Sequence, residues 1–562
     1  MIVQWLTTLG AVLAGFLLGS LPLGSYLVRF LSGKDVRHLS AHNLGVENLL
    51  RALGVRVALA SFFLDLLKGF LLVLAFPTSP WAALGVFFGH LYPLPQFVRG
   101  DPPRGRGNGV LIGILAAWSG LGVPWYVVAL PVILYAALVA YWGYVSLATL
   151  LALLSLLMLS LLTPSTALSL TCLGLLLLSL WRHKASVARL IEGLEPRLDD
   201  PPPVFDFDPD VIPLAFMIHP LSFEDFWQSL SFKKLKPLVS LLPETWLKAL
   251  LPRLRPQVHG LIEGITLKDG RKLRVLLIGG PMLPEQIRQQ PEAAVRMAIQ
   301  GARLAQWQGA QVMGLGAFWS TVGNKGQAVQ DAVPGIAITN GGAYTAATIK
   351  AAIPGLLKAF EREGGKLRHA SAAVVGANGV VAFGIARTVA SELAQLILIG
   401  KDETRLLRSA ETLKRKFPDT DIQVSINIKK CAEADLVFSA TSDPDPVIYP
   451  EHVKPGAWLF DLGRPADLDV SVRSVPGIHI IPGGVVKPPG EMQSNLDIHF
   501  GDGLIPACLA ESMIMAAAKA YDRASLGEAT KTANIEFYLE EAANLGFEVI
   551  TRDQYVKEVV ML

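Results

Sequence analysis

"HASAAVVGANGVVAFGIARTVASEL", residues 369–393, carries the clearest secondary-structure pattern in the chain. The apolar run Ala372–Val375 leads into a glycine turn, and an amphipathic segment follows the turn. Glycines let a phosphate approach the backbone closely, and the N-terminus of a following helix favours a pyrophosphate. The stretch therefore predicts a strand–turn–helix unit of a parallel α/β sheet that binds a dinucleotide. The candidate cofactor-binding residues are Gly376, Asn378, Gly379 and Ala382.

Charges at the end of the next strand bear on which dinucleotide binds. The run "AQLILIG", residues 394–400, ends at Lys401 and Asp402, and Arg405 follows one turn later. A carboxylate at this place holds the ribose of NAD, whereas cations accommodate the 2′-phosphate of NADP. Lys401 and Arg405 therefore favour NADPH, while Asp402 leaves NAD open. Further predicted parts of the sheet lie at 434–443, 456–465 and 480–486.

The composition separates the chain into an apolar part and a soluble part. Of its 562 residues, 51% are hydrophobic, and the mean hydropathy is +0.42. The apolar excess lies before residue 183. A net charge of +3, without a basic stripe interleaved with aromatic residues, gives no indication of nucleic-acid binding. The three cysteines lack the spacing of a disulfide framework or a metal site, which fits a reducing compartment.

Long apolar segments in the first third predict a polytopic α-helical membrane bundle. The first segment has no signal-peptide cleavage site, and most approach the ~20 residues that cross a bilayer. The seven predicted spans are residues 1–31, 53–76, 80–98, 109–122, 123–143, 145–163 and 165–182. Because the loops after the first, third and seventh spans are positively charged, we expect an outside N-terminus and a cytoplasmic second half.

The second predicted span contains an ionisable pair, Asp65 and Lys68, in "FFLDLLKGF". Residues three apart on a helix are close enough to pair. Ionisable groups at membrane depth cost free energy and often mark a site. Two interpretations stay open. The pair belongs either to a functional site or gate, or to a structural salt bridge.

Three charged loops, at residues 33–54, 89–110 and 183–198, combine arginine, glycine and polar side chains. Arginine forks and exposed backbone N–H groups suit a phosphate monoester. Such loops are typical of lipid-headgroup anchors or of an active site at the membrane surface.

Residues 1–198 resemble the acyl-phosphate-dependent glycerol-3-phosphate acyltransferases of bacterial membranes in the order and spacing of these loops. The resemblance implies acyl transfer to position 1 of glycerol 3-phosphate, which gives lysophosphatidate and needs no metal or thiol. It implies catalytic roles for Arg37, Asn43, Asn48 and His90. The candidate substrate- or phosphate-binding residues are Ser20, Arg51, Arg104, Arg106, Gly107, Gly109, Ser186 and Glu195.

Several positions depart from the pattern of that family. The changed positions are Ala41, His42, Glu47, Asn108 and Ser186. Asn108 stands where the family has a lysine, and Arg104 or Arg106 is a candidate substitute for its charge. The departures leave the acceptor open between glycerol 3-phosphate and a related phosphorylated molecule.

An acidic, proline-rich linker is expected at residues 199–213. Beyond it, short β runs alternate with amphipathic helices, which predicts a soluble α/β reductase region of the Rossmann type. The expected domains are the membrane domain 1–198, a substrate domain 214–345, a Rossmann NADP-binding domain 346–500 and a C-terminal helical segment 501–562.

The stretch "GLIPACLAESMIM", residues 503–515, places Cys508 at the start of a predicted helix. A thiolate there is stabilised by the helix dipole and attacks thioesters. The alternative is a small apolar residue in a packed helix.

Residues ~214–552 resemble the long-chain acyl-[acyl-carrier-protein] reductases of cyanobacteria. The matching blocks include "FMIHPLSFED" (216–225), "GLGAFWS" (314–320), "TNGGAYTA" (339–346) and "ACLAESM" (507–513). The resemblance implies that Cys508 is acylated by a thioester of acyl carrier protein or coenzyme A. Hydride from NADPH would then release a fatty aldehyde.

The preferred interpretation is a bifunctional lipid enzyme of the bacterial inner membrane. It would transfer an acyl group from acyl phosphate and reduce a fatty acyl thioester. The alternative is a catalytically altered membrane anchor that carries only an active acyl reductase.

Overall fold

The computed structural model shows two compact units, Met1–Pro209 and Asp210–Leu562. In the described residues, the first unit is helical and the second combines helices with β-sheets. The structure describes residues 2–33, 45–94, 105–198, 200, 204, 208–220, 222–226, 243–441, 443, 445–463, 466–498, 500–501, 503–527 and 532–550.

Apolar helices build the described part of the first unit. Pro22 separates the first two, and Gly33, Gly143 and Gly193 end others in the left-handed conformation that glycine adopts readily. The helices are α1 Ile2–Gly19, α2 Leu23–Ser32, α3 Val46–Leu53, α4 Val55–Ala75, α5 Ala82–Leu91, α6 Asn108–Gly120, α7 Trp125–Trp142, α8 Val145–Ser160, α9 Thr166–Arg182 and α10 Lys184–Glu192.

Three stretches among the described residues are long and apolar enough to cross a membrane, namely Thr8–Ser32, Val55–Ala75 and Trp125–Trp142. The pair α9 and α10, bent by 60°, makes a fourth if it is counted as one span. Helices α5, α6 and α8 have 10, 13 and 16 residues, fewer than the ~20 that a span needs. The predicted count of seven spans is therefore not supported, although every predicted segment contains a helix. Turns shorten these helices, as where Gly122 and Pro124 follow α6.

Glycines allow two pairs of helices in this unit to approach closely. A Cβ on Gly85 or Gly89 of α5 would lie 2.3 or 2.2 Å from a carbonyl oxygen of α1. A Cβ on Gly69 of α4 would lie 2.3 Å from a carbonyl oxygen of α6, and one on Gly113 of α6 2.1 Å from a carbonyl oxygen of α4. Because lipid is as apolar as the helices, such close backbone packing is what holds membrane helices together.

The described residues of the second unit form three β-sheets. The strands are β1 Val211–Ile218, β2 Gln257–Thr266, β3 Lys272–Gly279, β4 Val312–Leu315, β5 Ala337–Thr339, β6 Ser371–Val375, β7 Gln395–Ile399, β8 Asp421–Ser425, β9 Leu436–Ser439, β10 Trp458–Asp461, β11 His479–Pro482, β12 Val485–Lys487, β13 Gly490–Ser494, β14 Ile505–Pro506 and β15 Glu548–Val549.

Helices cover both larger sheets, and short 3₁₀ turns such as Ala317–Thr321 connect several elements. The α-helices are α11 Phe223–Phe226, α12 Glu244–Leu250, α13 Pro284–Gln289, α14 Pro291–Trp307, α15 Val322–Lys325, α16 Gln327–Ala332, α17 Gly342–Arg362, α18 Val380–Val389, α19 Glu403–Lys416, α20 Ala507–Ala518 and α21 Thr532–Leu545.

The first sheet has the strand order β13-β2-β3-β1-β4-β5. Strands β3, β1, β4 and β5 are parallel to one another. Strand β2 is antiparallel to β3, and β13 is antiparallel to β2. Strand β1 begins inside the segment expected to be a linker, and β13 lies inside the range expected for the cofactor domain. Helix α20 packs on β1 and β4, so the chain returns to this sheet after it has built the second one.

The second sheet is entirely parallel, with the order β11-β10-β9-β6-β7-β8. The chain starts in the middle at β6, builds one half through β8, and returns to build the other half from β9. This is the order of a doubly wound Rossmann sheet, with its switch point between β6 and β9. The Rossmann-type α/β fold predicted from residues 369–393 is therefore confirmed.

We expect glycine in helix α5 to tolerate no side chain where α1 crosses it. Gly89→Ala should lower the free energy of unfolding by about 1–3 kcal/mol, because its Cβ meets the Phe16 carbonyl oxygen at 2.2 Å. Gly10→Ala in α1 is the matched control, since a Cβ there meets no described atom within 4 Å. Its effect should be neutral or stabilising because alanine favours helix. Thermal unfolding of the detergent-solubilised chain measures both, and equal effects would contradict the packing assignment.

Candidate active sites

The break between α1 and α2 is bonded to a buried lysine of α4. Pro22 has no amide hydrogen and interrupts the helix. The Lys68 ammonium donates to the carbonyl oxygens of Gly19 at 3.1 Å and Leu21 at 2.8 Å. The hydroxyl of Ser20, a predicted substrate-binding residue, is buried here and donates to the Phe16 carbonyl at 2.7 Å.

Asp65 and His90 complete a polar cluster around this lysine. Asp65 Oδ1 lies 3.9 Å from Lys68 Nζ and 3.6 Å from His90 Nδ1. His90 Nδ1 lies 3.5 Å from Lys68 Nζ. The expected pairing of Asp65 with Lys68 is therefore present, but the lysine makes shorter contacts with the helix break. His90, predicted from the second loop, joins the pair from the last turn of α5.

Two glycines at the end of the second loop, Gly105 and Gly109, lie close to this cluster. A Cβ on Gly105 would be 2.8 Å from His90 Nε2, and one on Gly109 would be 2.9 Å from the Cβ of Asp65. Gly107 has φ +82° and precedes α6. Gly107 and Gly109 were predicted as phosphate-binding residues, and the structure gives them a turn and a close helix contact. Any contact with substrate stays a prediction.

A second buried cluster surrounds Glu195. Arg106 Nη2 donates to its Oε1 at 3.3 Å, Arg189 Nε to its Oε2 at 2.7 Å, and the Ser146 hydroxyl to its Oε1 at 2.7 Å. Arg189 Nη2 also donates to the Ser186 hydroxyl at 2.9 Å. Arg106, Ser186 and Glu195 were predicted to bind substrate, and the structure shows them in this one network. Sequence analysis missed Ser146, since nothing in helix α8 marks it.

A small apolar cavity, half open to its surroundings, lies beside α6. Its wall is apolar except for Asn108, Tyr135 and Thr149. Asn108 Nδ2 donates to the Tyr135 hydroxyl at 3.4 Å, and the Thr149 hydroxyl donates to Asn108 Oδ1 at 3.1 Å. The residue that replaces the family's lysine is therefore bonded to side chains of α7 and α8.

The remaining predictions in the first unit concern the first and second loops. Arg37, Asn43 and Arg104 lie outside the described residues. Asn48 and Arg51 belong to helix α3, and their side chains lie outside the description. The roles of these five residues stay predictions.

In the second unit, the glycine turn after β6 adopts the predicted conformation. Gly376 has φ +84°, and a Cβ there would lie 2.5 Å from the Ala440 carbonyl oxygen, so only glycine fits. Gly379 is the N-cap of α18, whose buried Ala382 packs in the core. Asn378 Oδ1 accepts from the Asp402 N–H at 3.0 Å, and its Nδ2 donates to the Asp402 carbonyl at 3.0 Å. Asn378 thereby joins the turn to the end of the next strand.

Asp402, the acidic residue after β7, forms hydrogen bonds inside the protein. The Asp402 side chain caps α19 by accepting from the Arg405 N–H at 3.1 Å. Arg405 Nη2 donates to the Asn378 carbonyl at 3.0 Å. Lys401 Nζ lies 2.8 Å from Asp443, and the lysine side chain is 92% exposed. Two cations therefore flank the cofactor edge, while the carboxylate of Asp402 faces its own helix.

Cys508 lies in the first turn of α20, next to two backbone segments from the first sheet. Gly341 has φ +77°, and a Cβ on it would lie 2.2 Å from the Cβ of Cys508. The Ala317 N–H donates to the sulfur. Burial and the nearby Glu511 raise the pKa of Cys508 to about 11. Burial opposes ionisation of the thiol, so the expected thiolate at the start of this helix stays a prediction.

Glu511, one turn after Cys508, is a residue that sequence analysis missed. It is fully buried. Its carboxylate accepts from the Thr339 hydroxyl at 2.5 Å and from the Tyr344 N–H at 2.7 Å. Burial raises the pKa of Glu511 above its usual value. The signal was present, since an acidic residue interrupts an otherwise apolar helix in residues 503–515.

The first unit has relatives of known family. The profile of the family described as glycerol-3-phosphate acyltransferase matches residues 9–193. The glycerol-3-phosphate acyltransferase of Mesorhizobium japonicum is 32% identical over 201 residues, which cover 34% of this chain and 97% of that protein. The chain belongs to the glycerol-3-phosphate acyltransferase family. This membership confirms the resemblance predicted for residues 1–198.

A solved structure extends the comparison for this acyltransferase unit. An integral membrane glycerol 3-phosphate acyltransferase, crystallised in its glycerol 3-phosphate form, is 28% identical. The match covers 34% of this chain and 95% of that chain, with a TM-score of 0.30.

The second unit matches the profile of another family. The shikimate / quinate 5-dehydrogenase profile matches residues 358–482, which contain the whole second sheet. A shikimate 5-dehydrogenase from Listeria monocytogenes, solved with shikimate and NAD, is 12% identical. The match covers 56% of this chain and 91% of that chain, with a TM-score of 0.22. The profile match supports a dehydrogenase-type Rossmann domain, and the finer resemblance to acyl-[acyl-carrier-protein] reductases stays a prediction.

Lys68→Met should destabilise the acyltransferase unit. Methionine fills a similar volume but leaves the Gly19 and Leu21 carbonyls without the ammonium. We expect a loss of about 3 kcal/mol, since hydrogen bonds from a charged group contribute about 1.5–3 kcal/mol each. Lys184→Met is the control, because that exposed lysine only lies over the Trp181 ring, a contact of about 0.5–1 kcal/mol. Thermal unfolding in detergent gives both values, and an unchanged melting temperature for Lys68→Met would refute the assignment.

Proposed function

We propose that the first unit transfers an acyl group from acyl phosphate to glycerol 3-phosphate. The observation that carries this proposal is the family membership, with 97% of a curated acyltransferase covered. We place the protein in the bacterial inner membrane with several spans, an outside N-terminus and a cytoplasmic second unit. The positive charge of the loops supports that orientation.

This reaction depends on positioning, because the acyl group arrives already activated as a mixed anhydride. A hydroxyl oxygen of glycerol 3-phosphate bonds to the acyl carbon, and the bond from that carbon to the phosphate oxygen breaks. The hydroxyl proton ends on the departing phosphate. The cluster of Asp65, Lys68 and His90 lies beside the Gly105 turn and offers polar groups for this step. The apolar wall of the half-open cavity beside α6 is a surface on which an acyl chain could pack.

The acyltransferase proposal is tested with Arg37, which we propose to bind phosphate. Arg37→Ala should lower lysophosphatidate formation about 10- to 100-fold, as expected for a lost charge-assisted hydrogen bond. Labelled glycerol 3-phosphate and a long-chain acyl phosphate, added to detergent-solubilised protein, give the rate. The control is Arg29→Ala, an exposed arginine of α2 that should leave the rate unchanged. Equal rates for the two variants would remove Arg37 from the site.

One observation favours the alternative in which the first unit is an anchor without transferase activity. Asn108, in place of the family's lysine, is bonded to Tyr135 and Thr149, and Arg106 is paired with Glu195. If the wild-type protein forms no lysophosphatidate while thioester reduction persists, the anchor interpretation holds.

We infer that the second unit reduces a fatty acyl thioester to an aldehyde through Cys508. The sulfur bonds to the acyl carbon, the bond to the carrier sulfur breaks, and the carrier leaves as a thiol. NADPH, when bound, supplies the hydride that reduces the acyl carbon. The aldehyde then leaves, and the sulfur regains a proton. The placement of Cys508 in the first turn of α20, against the Ala317 N–H, supports this role.

The cofactor edge of the second sheet fits a dinucleotide. The close approach at Gly376 and the N-terminus of α18 at Gly379 suit a pyrophosphate. We propose that Lys401 and Arg405 favour the 2′-phosphate of NADPH, because Asp402 is engaged in capping α19. The acyl carrier is acyl carrier protein or coenzyme A.

The reductase proposal predicts a covalent acyl adduct on Cys508. Incubation with a long-chain acyl thioester should add one acyl mass to the intact protein, and NADPH should remove it with formation of aldehyde. Cys508→Ser should form no adduct, whereas the buried Cys431→Ala should behave as wild type. NADH in place of NADPH should discharge the adduct more slowly. No adduct on the wild-type protein would make Cys508 a packing residue.

A further inference from the structure

The histidine that follows strand β1 has an unusual hydrogen-bonding state. His219 Nδ1 lies 3.0 Å from the Pro220 carbonyl oxygen. A carbonyl oxygen only accepts, so the hydrogen of the neutral ring is on Nδ1. His219 Nε2 is then an acceptor with a free lone pair. It is buried and meets no hydrogen-bond partner among the residues that the structure describes.

A buried acceptor without a donor costs free energy. Burial also lowers the pKa of His219, which keeps the ring neutral. A neutral imidazole with a free Nε2 is the form that accepts a proton from a nucleophile. The position of His219 in the fold decides which nucleophile it could serve.

The register of the first sheet places His219 beside the segment that contacts Cys508. Met217 pairs with Leu315 across β1 and β4, and the Gly316 N–H donates to the Met217 carbonyl at 3.0 Å. Two residues further on, the His219 ring packs on Phe318 with 5.5 Å between ring centroids. The neighbouring residue, Ala317, donates its N–H to the sulfur of Cys508.

Ala317 has φ +44°, a strained conformation for a residue other than glycine. Ala317 thus lies between Phe318, which contacts the imidazole, and the sulfur of Cys508. His219 and Cys508 therefore flank the same short segment at the carboxyl edge of the sheet, where α/β proteins bind their ligands.

Cys508 needs such a base, because its raised pKa leaves it a thiol at neutral pH. Glu511 is another ionisable group near Cys508, and its carboxylate already accepts from Thr339 and Tyr344. It lies one helical turn further into the core.

We propose that His219 is the base that takes the proton from Cys508 when the sulfur attacks the acyl thioester, and this rests on the reductase function proposed above. The proton moves from sulfur to Nε2 directly or through one water. As the carrier sulfur departs, the imidazolium returns that proton to it. After hydride transfer and loss of aldehyde, the Cys508 thiolate regains a proton from solvent through the same ring. His219 is a catalytic residue because it exchanges protons with the reacting sulfur atoms.

The test measures the reactivity of Cys508 separately from reduction. Full-length protein in detergent is treated with iodoacetamide, and the Cys508 peptide is quantified by mass spectrometry over time. His219→Asn keeps a donor for the Pro220 carbonyl but has no group at the position of Nε2. We expect its alkylation rate and its rate of acyl-adduct formation to fall by at least about 10-fold. His369→Asn, an exposed histidine of the same unit, is the matched control with unchanged rates.

Chemical rescue separates a proton-transfer role from a structural one. His219→Ala leaves room for a free imidazole, which should restore alkylation of Cys508 if the ring acts as a base. Slow alkylation that imidazole does not restore, with a lowered melting temperature, would overturn the proposal, as would unchanged alkylation in His219→Asn. If alkylation depends on His219 but the wild-type protein forms no acyl adduct, the proposed reduction fails and the base assignment stands.

Discussion

The second unit depends on one buried carboxylate, that of Glu511. It accepts from the end of β5 through Thr339 and from the first turn of α17 through the Tyr344 N–H. The N-terminus of a helix favours a negative charge, so this carboxylate fixes where α17 begins. Helix α17 then runs from the first sheet into the core of the second, where Ile353 and Phe360 are buried. Glu511 therefore connects the helix that carries Cys508 to the helix that packs on the second sheet.

In the first unit, a buried positive charge, the ammonium of Lys68, bonds to the backbone at a helix end. Where Pro22 breaks a helix in an apolar surrounding, the freed carbonyl oxygens need a donor. The ammonium of Lys68 supplies it, and the same lysine lies beside Asp65 and His90. A group that satisfies the backbone thus also forms the polar cluster of the candidate site. The contacts of Lys68 support the structural interpretation of this ionisable pair, and a role of the same lysine in catalysis stays a proposal.

Both proposed reactions use an acyl group that is already activated, one as a phosphate and one as a thioester. Because both acyl donors are already electrophilic, each proposed reaction depends mainly on how the site positions its substrates. In the first unit, glycines bring the second loop against His90 and Asp65. In the second, Gly341 lets the backbone touch Cys508. A shared acyl supply would let one protein direct fatty chains to an ester or to an aldehyde.

The sequence alone determined the Rossmann sheet, the membrane helices and the acyltransferase family, because glycine turns, apolar periodicity and loop motifs are local patterns. It placed Gly376 and Gly379 in their turn, and it marked Cys508 at a helix start. The sequence did not predict the number of spans correctly, since the lengths of α5, α6 and α8 depend on turns rather than on composition. The tertiary structure alone decided that Arg106 meets Glu195, and that Cys508 lies close to Ala317 and Glu511. These properties depend on burial and on contacts between residues far apart in the chain, which residue spacing does not predict.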